Sequence, residues 1–185
     1  MQRRTFIQGL AAIAAFNALP QRAAYAQNLD RKAVEDMQKN WKSLLADGTP
    51  DVPLAPPLKL GKDEWKKRLA PAAFDVLREE GTEYAGTSPL NAEKRAGVFV
   101  CAGCSLPLFT SAMKFESGTG WPSFWAPISK NNVKEESDNS WFMKRTEVLC
   151  HRCDAHLGHV FEDGPAPTGL RYCLNSAALK FVPKS

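Results

Sequence analysis

The sequence predicts a mainly β domain of short antiparallel strands, preceded by short helices. Short runs rich in β-branched and aromatic residues recur in the carboxy-terminal half, and clusters of Gly, Pro, Ser and Asn separate them. Two Cys-x-x-Cys pairs follow two of these runs, as is typical of strands that end in metal-binding turns. The predicted strands are residues 97–100, 106–109, 141–149, 160–161 and 179–182.

The amino terminus has the pattern of a cleavable export signal. Arg3 and Arg4 precede an apolar, alanine-rich stretch that ends in Ala24-Tyr25-Ala26, which matches a basic region, an apolar region and an A-x-A-like cleavage site. The apolar stretch is shorter than the ~20 residues that a membrane-spanning helix needs. We expect residues 1–26 to be a twin-arginine-type signal, cleaved near Ala26, that delivers the protein to the periplasm without stable membrane insertion. An ordinary secretory signal that begins with two arginines is the alternative.

The charge of the chain gives no support for a nucleic-acid partner. The formal net charge is +4, but residues 1–26 contain three arginines and no acidic residue, so their removal leaves +1. A near-neutral chain lacks the basic surface that nucleic-acid binding requires. The residues that remain after cleavage are enough for one domain with a hydrophobic core.

Residues 29–46 predict an amphipathic helix with a packing role. Apolar side chains recur there at steps of three and four residues, Asp30 is placed to cap the start, and Gly48 is placed to stop the helix. Prolines between residues 53 and 57 then predict an extended linker. The predicted organisation is therefore a helix and Pro-rich linker over residues 27–60, followed by the main domain over residues 61–185.

Two further short helices are predicted at the start of the main domain. They cover residues 62–70 and 71–80, and the second begins with Pro71, which is favoured in the first turn of a helix. Gly81 is the expected end of the second helix.

The five cysteines divide into two Cys-x-x-Cys pairs and one remaining thiol, Cys173. Four thiolates at ~2.3 Å form the closed tetrahedral shell of a structural zinc ion, with no position left for water. In an oxidising compartment the same cysteines could form disulfides, a Cys-x-x-Cys pair can act as a redox dithiol, and iron can replace zinc. We expect one structural zinc per chain, bound by Cys101, Cys104, Cys150 and Cys153.

Two histidines lie within 17 residues of the remaining thiol. Because four thiolates already fill a tetrahedron, His156 and His159 are free for proton transfer near neutral pH. Either histidine alone would be explained by hydrogen bonds to the backbone, but together they favour a Cys/His site around Cys173. The glycine-rich aromatic turn at residues 117–125 is either a core plug or the wall of an apolar pocket.

Taken together, these motifs resemble the methionine sulfoxide reductase B family. The resemblance runs from about Trp65 to Phe181, and residues 27–60 lie outside it. It implies two twisted antiparallel sheets, with zinc held opposite the active site. The segments that carry it, in chain order, are residues 101–104, 117–124, 150–153, 156–161 and 169–176.

The resemblance also implies a reaction and a set of site residues. Members of the family reduce methionine R-sulfoxide in peptides and proteins: a thiolate attacks the sulfoxide sulfur while an acid protonates its oxygen, which leaves a thioether and a sulfenic acid. Cys173 matches the nucleophile, Trp121 matches the residue that holds the substrate's methyl group, and Phe161 is expected to help bind substrate. The other implied catalytic residues are His156, His159 and Asn175 around the sulfoxide oxygen, and Arg171 and Asp163, which tune the cysteine.

One position departs from the pattern of many members of the family. They carry a second, resolving cysteine where this chain has Thr119. Since the other four cysteines are assigned to metal, we expect an external, thioredoxin-like thiol donor, periplasmic or part of a membrane relay, to reduce Cys173 through an intermolecular mixed disulfide. We also expect a monomer. Two other classes stay open: a non-catalytic exported zinc-knuckle binding module, and a disulfide-stapled structural protein without metal.

Overall fold

The structure is a computed structural model that describes residues 30–139 and 145–184. Its strands form two antiparallel sheets, and helices precede them. The strands are β1 (Gly97–Cys101), β2 (Pro107–Thr110), β3 (Lys114–Phe115), β4 (Ser123–Phe124), β5 (Val133–Asp138), β6 (Arg145–Cys150), β7 (His156–Phe161), β8 (Arg171–Leu174) and β9 (Leu179–Pro183). One sheet has three strands in the order β2-β1-β9, and the other has six in the order β3-β4-β8-β7-β6-β5. This confirms the predicted mainly β fold with two antiparallel sheets.

Aromatic side chains join the two sheets in the core. Phe124 on β4 packs against Phe99 on β1 and Phe109 on β2, with ring centroids 5.0 and 4.6 Å apart. All three rings are fully buried. Edge-to-face and stacked aromatic pairs each contribute about 0.5–1.5 kcal/mol beyond the burial of their area. The core therefore fixes β4, and with it the neighbouring strand β8, against the three-stranded sheet.

The first helix, α1 (Arg31–Lys39), starts as predicted and ends early. Asp30 caps it by accepting a hydrogen bond of 2.7 Å from the amide of Ala33. The expected continuation to residue 46 is wrong because the backbone of Asn40 leaves the helical conformation, with φ −99° and ψ 26°, and a 3-10 turn (Trp41–Leu44) follows. The side chain of Asn40 donates to the carbonyl of Asp36 at 3.1 Å. α1 buries Val34 against Trp125 and other core residues, so it packs on the domain.

Two more helices, α2 (Lys62–Arg68) and α3 (Pro71–Glu79), lie close to the predicted bounds. α3 stops at Glu80, which adopts the left-handed conformation with φ 56°, and not at the expected glycine. The amide of Gly81 then donates to the carbonyl of Asp75, which closes the helix end. Both helices bury apolar side chains in the main core, and half-buried leucines of the Pro-rich linker pack against it.

Four strands were not predicted: β3, β4, β5 and β8. Three of them have only two or four residues, and β5 is a polar edge strand whose exposed Glu and Ser residues hide the apolar period. The predicted strand at residues 141–149 is described from Arg145 onward, because residues 140–144 lie outside the described residues. The predicted signal at residues 1–26 lies outside them as well. Within the described ranges, no helix has both the length and the hydropathy that crossing a membrane requires.

Candidate active site and metal site

Cys173 lies in the interior of the six-stranded sheet, on β8. It pairs with Ser123 on β4 and with His159 on β7, and Glu147 on β6 is opposite His159. Directly paired residues of antiparallel strands project from the same face of a sheet. The register therefore places the thiol beside an imidazole and a hydroxyl in one row. Cys173 is half-buried and is not part of a disulfide, so it is reachable from solvent.

Each of the two predicted site histidines has a carboxylate partner. His156 Nδ1 is 2.5 Å from Glu147 Oε1, and His159 Nε2 is 2.9 Å from Asp138 Oδ2. The two rings are close, with centroids 5.5 Å apart. A carboxylate orients an imidazole by accepting a hydrogen bond from one of its two nitrogens. This arrangement fixes one nitrogen of each ring and leaves the other nitrogen for a further hydrogen bond.

Burial lowers the pKa of His159 below the usual value for histidine. The charges of Arg145 and His156 act in the same direction, whereas Asp138 opposes them. Arg145 contacts the same carboxylate oxygen of Asp138 as His159 does, at 2.7 Å, so it weakens that support. His159 therefore favours the neutral form more than a solvent-exposed histidine does.

The aromatic turn divides into a core part and a site part. Phe124 and Trp125 are almost completely buried, so they plug the core. Trp121 is only half-buried, and its indole Nε1 donates to the carbonyl of Glu83 at 3.2 Å. The core interpretation thus holds for Phe124 and Trp125, whereas the role of Trp121 as the wall of a pocket stays a prediction.

Thr119 contacts the thiol of Cys173. Its Oγ1 lies 3.8 Å from the sulfur. The same Oγ1 is 2.8 Å from Ser117 Oγ, which in turn is 2.7 Å from Ser123 Oγ. A chain of hydroxyls therefore runs from the thiol into the buried end of β4. Thr119, the position at which the resemblance led us to expect a resolving cysteine in other proteins, is therefore adjacent to the candidate nucleophile and carries a hydroxyl.

Arg171 precedes Cys173 by two residues on β8, so both side chains project from one face. Its guanidinium binds Asp163 through Nε and Nη2, at 2.8 and 2.9 Å, and lies 4.4 Å from the ring centroid of Phe161. The hydrogen bond from Arg171 lowers the pKa of Asp163. The pKa of Arg171 is raised, chiefly by Asp163 and also by Cys173. The structure thus brings these three predicted residues together beside the thiol.

Asn175 is buried beneath this region, and its amide is bound to the backbone. Its Nδ2 donates to the carbonyl of Leu157 at 3.3 Å, and its Oδ1 accepts from the amide of Glu83 at 3.2 Å. The side chain therefore ties β7 to the segment around Glu83, which places it at the base of the site.

The four remaining cysteines form one buried cluster. Their sulfurs lie within 4.8 Å of one another, with Cys101 Sγ 3.8 Å from Cys153 Sγ and Cys104 Sγ 3.5 Å from Cys150 Sγ. Tetrahedral zinc with bonds of ~2.3 Å requires sulfurs about 3.8 Å apart, whereas disulfide sulfurs are about 2.05 Å apart. All four thiols are free. The residues therefore fit a four-thiolate metal site and not a pair of disulfides.

The duplicated Cys-x-x-Cys sequence gives a duplicated turn. The amides of Ser105 and Asp154 donate back to the carbonyls of Cys101 and Cys150, both at 2.9 Å. Both donors have positive φ, 61° and 51°. The helices cover this site: Arg78 of α3 donates to the carbonyl of Cys153 at 2.8 Å. The metal site is thus formed by two equivalent turns and is closed by the helical segment.

Sequence reasoning missed three carboxylates of this region: Glu83, Asp138 and Glu147. No local feature marks Asp138 or Glu147, since β5 is mostly exposed and only two of the six residues of β6 are buried. No feature of the sequence separates Glu83 from the acidic residues around it. Its contacts join residues 92–94 positions apart, so only the folded chain reveals them.

Comparison with known proteins agrees with this geometry. The SelR domain family matches residues 69–183. The peptide methionine sulfoxide reductase MsrB of Hahella chejuensis is 54% identical over 124 residues, which are 67% of this chain and 89% of that protein. The proteins of the same name from Methanosarcina barkeri and Pseudomonas putida are each 56% identical, over 65% and 66% of this chain and 84% and 92% of theirs. These matches do not favour a non-catalytic zinc-knuckle module. The chain belongs to the methionine sulfoxide reductase B family.

Proposed function

We propose that this protein reduces methionine R-sulfoxide in peptides and proteins to methionine. The observation that carries the proposal is the position of Cys173, an accessible thiol paired in register with His159 and close to a second carboxylate-bound histidine. Relatives 52–56% identical to this chain carry the name peptide methionine sulfoxide reductase. The family to which the chain belongs and the geometry of the site thus support the same activity.

Cys173 is the nucleophile in the proposed reaction. Its sulfur attacks the sulfoxide sulfur while the sulfoxide oxygen takes up a proton, which forms an adduct with a bond between the two sulfurs. The hydroxyl then passes to the Cys173 sulfur, as the S–O bond of the substrate and the new S–S bond both break. The products are methionine and Cys173 sulfenic acid, so one oxygen atom moves from substrate to enzyme and the thiol is oxidised by two electrons. His156 and His159 supply and hold the proton at that oxygen, and Trp121 forms the wall against which the substrate's methyl group packs.

The sulfenic acid is then reduced by an external dithiol of the thioredoxin type. One donor thiol displaces water to form a mixed disulfide, and the second donor thiol releases Cys173 and leaves the donor oxidised. The support is that Thr119 occupies the place next to Cys173, and that the other four cysteines are clustered in the metal site. An intramolecular disulfide would need one of those metal ligands.

The metal of the four-cysteine site is, in this proposal, one structural zinc ion. When bound, zinc closes its coordination with four thiolates and joins the β1–β2 turn to the β6–β7 turn. The two turns have the same backbone hydrogen bond, from Ser105 to Cys101 in one and from Asp154 to Cys150 in the other. Their place in the fold is distinct from the row that contains Cys173, so the metal has no role in the chemical steps.

Export is the last part of the proposal. The motif at residues 1–26 supports a twin-arginine-type signal and a periplasmic enzyme that uses a periplasmic donor. That the enzyme is a monomer is a separate part of the proposal. Cell fractionation followed by amino-terminal sequencing would test it. We expect the periplasmic form to begin at or next to Gln27, and a cytoplasmic protein that still begins with Met1 would contradict the export proposal.

The activity is tested by turnover of the two epimers of peptide-bound methionine sulfoxide, with dithiothreitol as the reductant. We expect the wild-type enzyme to reduce the R epimer, and Cys173→Ser to lose that activity while it keeps one zinc per chain and its thermal midpoint. His151→Asn is the control, because this third histidine lies in the metal-site turn and outside the row of Cys173. Reduction of the R epimer by Cys173→Ser would rule out the mechanism.

A single turnover without reductant tests the recycling step. We expect dimedone to label Cys173 as the sulfenic acid, and mass spectrometry to find no internal disulfide. A stable intramolecular disulfide in the wild-type protein would show that a zinc ligand acts as the resolving thiol.

A further inference from the structure

Glu83 lies outside every motif of the sequence, yet all four of its polar atoms bind to the candidate site. Its carboxylate oxygens accept from the amides of Ser176 and Ala177, at 2.6 and 2.9 Å. Its own amide donates to Asn175 Oδ1 at 3.2 Å. These partners follow β8 directly, only two to four residues after Cys173. One side of Glu83 is thus fixed to the segment that carries the nucleophile.

The other side of Glu83 holds the aromatic turn. Its carbonyl accepts the indole N–H of Trp121 at 3.2 Å. Three residues on, the amide of Gly86 donates to the carbonyl of Gly120 at 2.8 Å. A Cβ at Gly120 would lie 2.8 Å from the Cβ of Ala85, so the two segments are in close contact. Residues 83–86 therefore clamp the turn at two adjacent positions.

We propose that Glu83 is a positioning residue that sets the distance between the Trp121 indole and Cys173. Charge-assisted hydrogen bonds from two backbone amides hold its carboxylate, and the rigid backbone of the same residue holds the indole. Trp121 is only half-buried, so core packing alone does not fix it. The inference rests on the proposed function, because it holds that Glu83 controls the size of the pocket in which the substrate's methyl group binds.

The expected consequence is a loss of discrimination by size. When the carboxylate is removed, residues 83–86 lose their attachment to Ser176 and Ala177, and the indole can move away from the thiol. A displacement of ~1 Å at a positioned group can cost up to 10²-fold in rate. One extra methylene in a fitted pocket is discriminated by roughly 10–200-fold, and a wider pocket reduces that ratio.

The kinetic test compares methionine sulfoxide with ethionine sulfoxide, whose S-alkyl group is one methylene longer. For Glu83→Ala we expect KM for methionine sulfoxide to rise about tenfold and the methyl-to-ethyl ratio of kcat/KM to fall about fivefold or more. Glu83→Gln keeps one acceptor oxygen, and it should restore part of both values. Glu79→Ala is the matched control, since this carboxylate is exposed at the end of α3 and pairs only with Lys62 among the described residues. Unchanged KM and ratio, or a fall in kcat at an unchanged ratio, would overturn the proposal.

An NMR readout decides the same question without activity. The indole N–H signal of Trp121, assigned with Trp121→Phe, should shift and exchange faster with solvent in Glu83→Ala and Glu83→Gln, while the signals of the buried Trp65 and Trp125 stay in place. If the wild-type enzyme reduces neither epimer, the proposed function fails and the indole signal still tests the clamp. If Glu83→Ala does not fold, Glu83→Gln carries both measurements. An unaltered Trp121 signal in Glu83→Gln would refute the positioning role.

Discussion

Replacing Thr119 by cysteine should convert this enzyme to one with an internal resolving thiol. Thr119 Oγ1 lies 3.8 Å from Cys173 Sγ. A cysteine sulfur in the place of that hydroxyl must approach the other sulfur by about 1.8 Å to reach the disulfide length of ~2.05 Å. The neighbouring Gly118 has φ 74° and open space around it, so the turn has room for this movement. We therefore expect the disulfide to form.

The new cysteine should reduce Cys173 sulfenic acid faster than external thiols do, because its effective concentration beside Cys173 is high. A thiol held beside its target acts at an effective concentration on the order of mM, so it competes with external thiols supplied at micromolar concentration. In a single turnover without reductant, one methionine sulfoxide should consume two free thiols per Thr119→Cys chain and one per wild-type chain. The dimedone adduct at Cys173 should be lost in the variant.

Thiol titration and mass spectrometry measure this result. Thr119→Ser is the control, because it keeps the hydroxyl that contacts Ser117 and adds no thiol. A Thr119→Cys protein that still loses one thiol per turnover, and still gives the dimedone adduct, would refute the contact between residues 119 and 173 on which the reasoning depends.

Two other changes test the surroundings of the thiol. Asp138 raises the pKa of His159 against the effect of burial. Asp138→Asn should therefore lower that pKa further, so that His159 loses its proton at a lower pH and the alkaline limb of the kcat/KM profile moves to lower pH. An unmoved limb would contradict proton transfer by His159. Cys104→Ser removes one of four thiolates, so it should abolish binding of one zinc per chain in metal analysis and lower the thermal midpoint, whereas a zinc content equal to wild type would contradict the four-thiolate site.

Much of the fold could be predicted where the residues of a strand or helix carry a local signal, such as an apolar run or a capping residue. The apolar runs that became β1 and β9, the Asp30 cap and Pro71 all act within a few residues. β5 could not be predicted, because it is an edge strand with a mostly solvent-facing, charged sequence. The predicted end of α1 was also wrong, since the backbone of Asn40 leaves the helical conformation and apolar periodicity does not record such a local change.

The candidate site was predicted in part for the same physical reason. Thiols and imidazoles are rare and chemically distinctive, so Cys173 and its two histidines stand out from their residue type. Carboxylates are common on surfaces, and nothing local marks the two that bind the histidines. Asp138 and Glu147 reach His159 and His156 only through the pairing of β6 with β5 and β7, a register that one sequence does not reveal.

Residue chemistry and spacing alone were sufficient for the broad outline of this protein. Two Cys-x-x-Cys pairs and a fifth cysteine near two histidines already predict a metal site and a nucleophile, because four thiolates suit tetrahedral zinc and an imidazole can activate a thiol. The tertiary structure alone decided which groups touch: the hydroxyl of Thr119 beside the thiol, the carboxylates on the histidines, and Glu83 between Trp121 and the end of β8. These contacts join residues far apart in the chain, and strand register and packing bring them together.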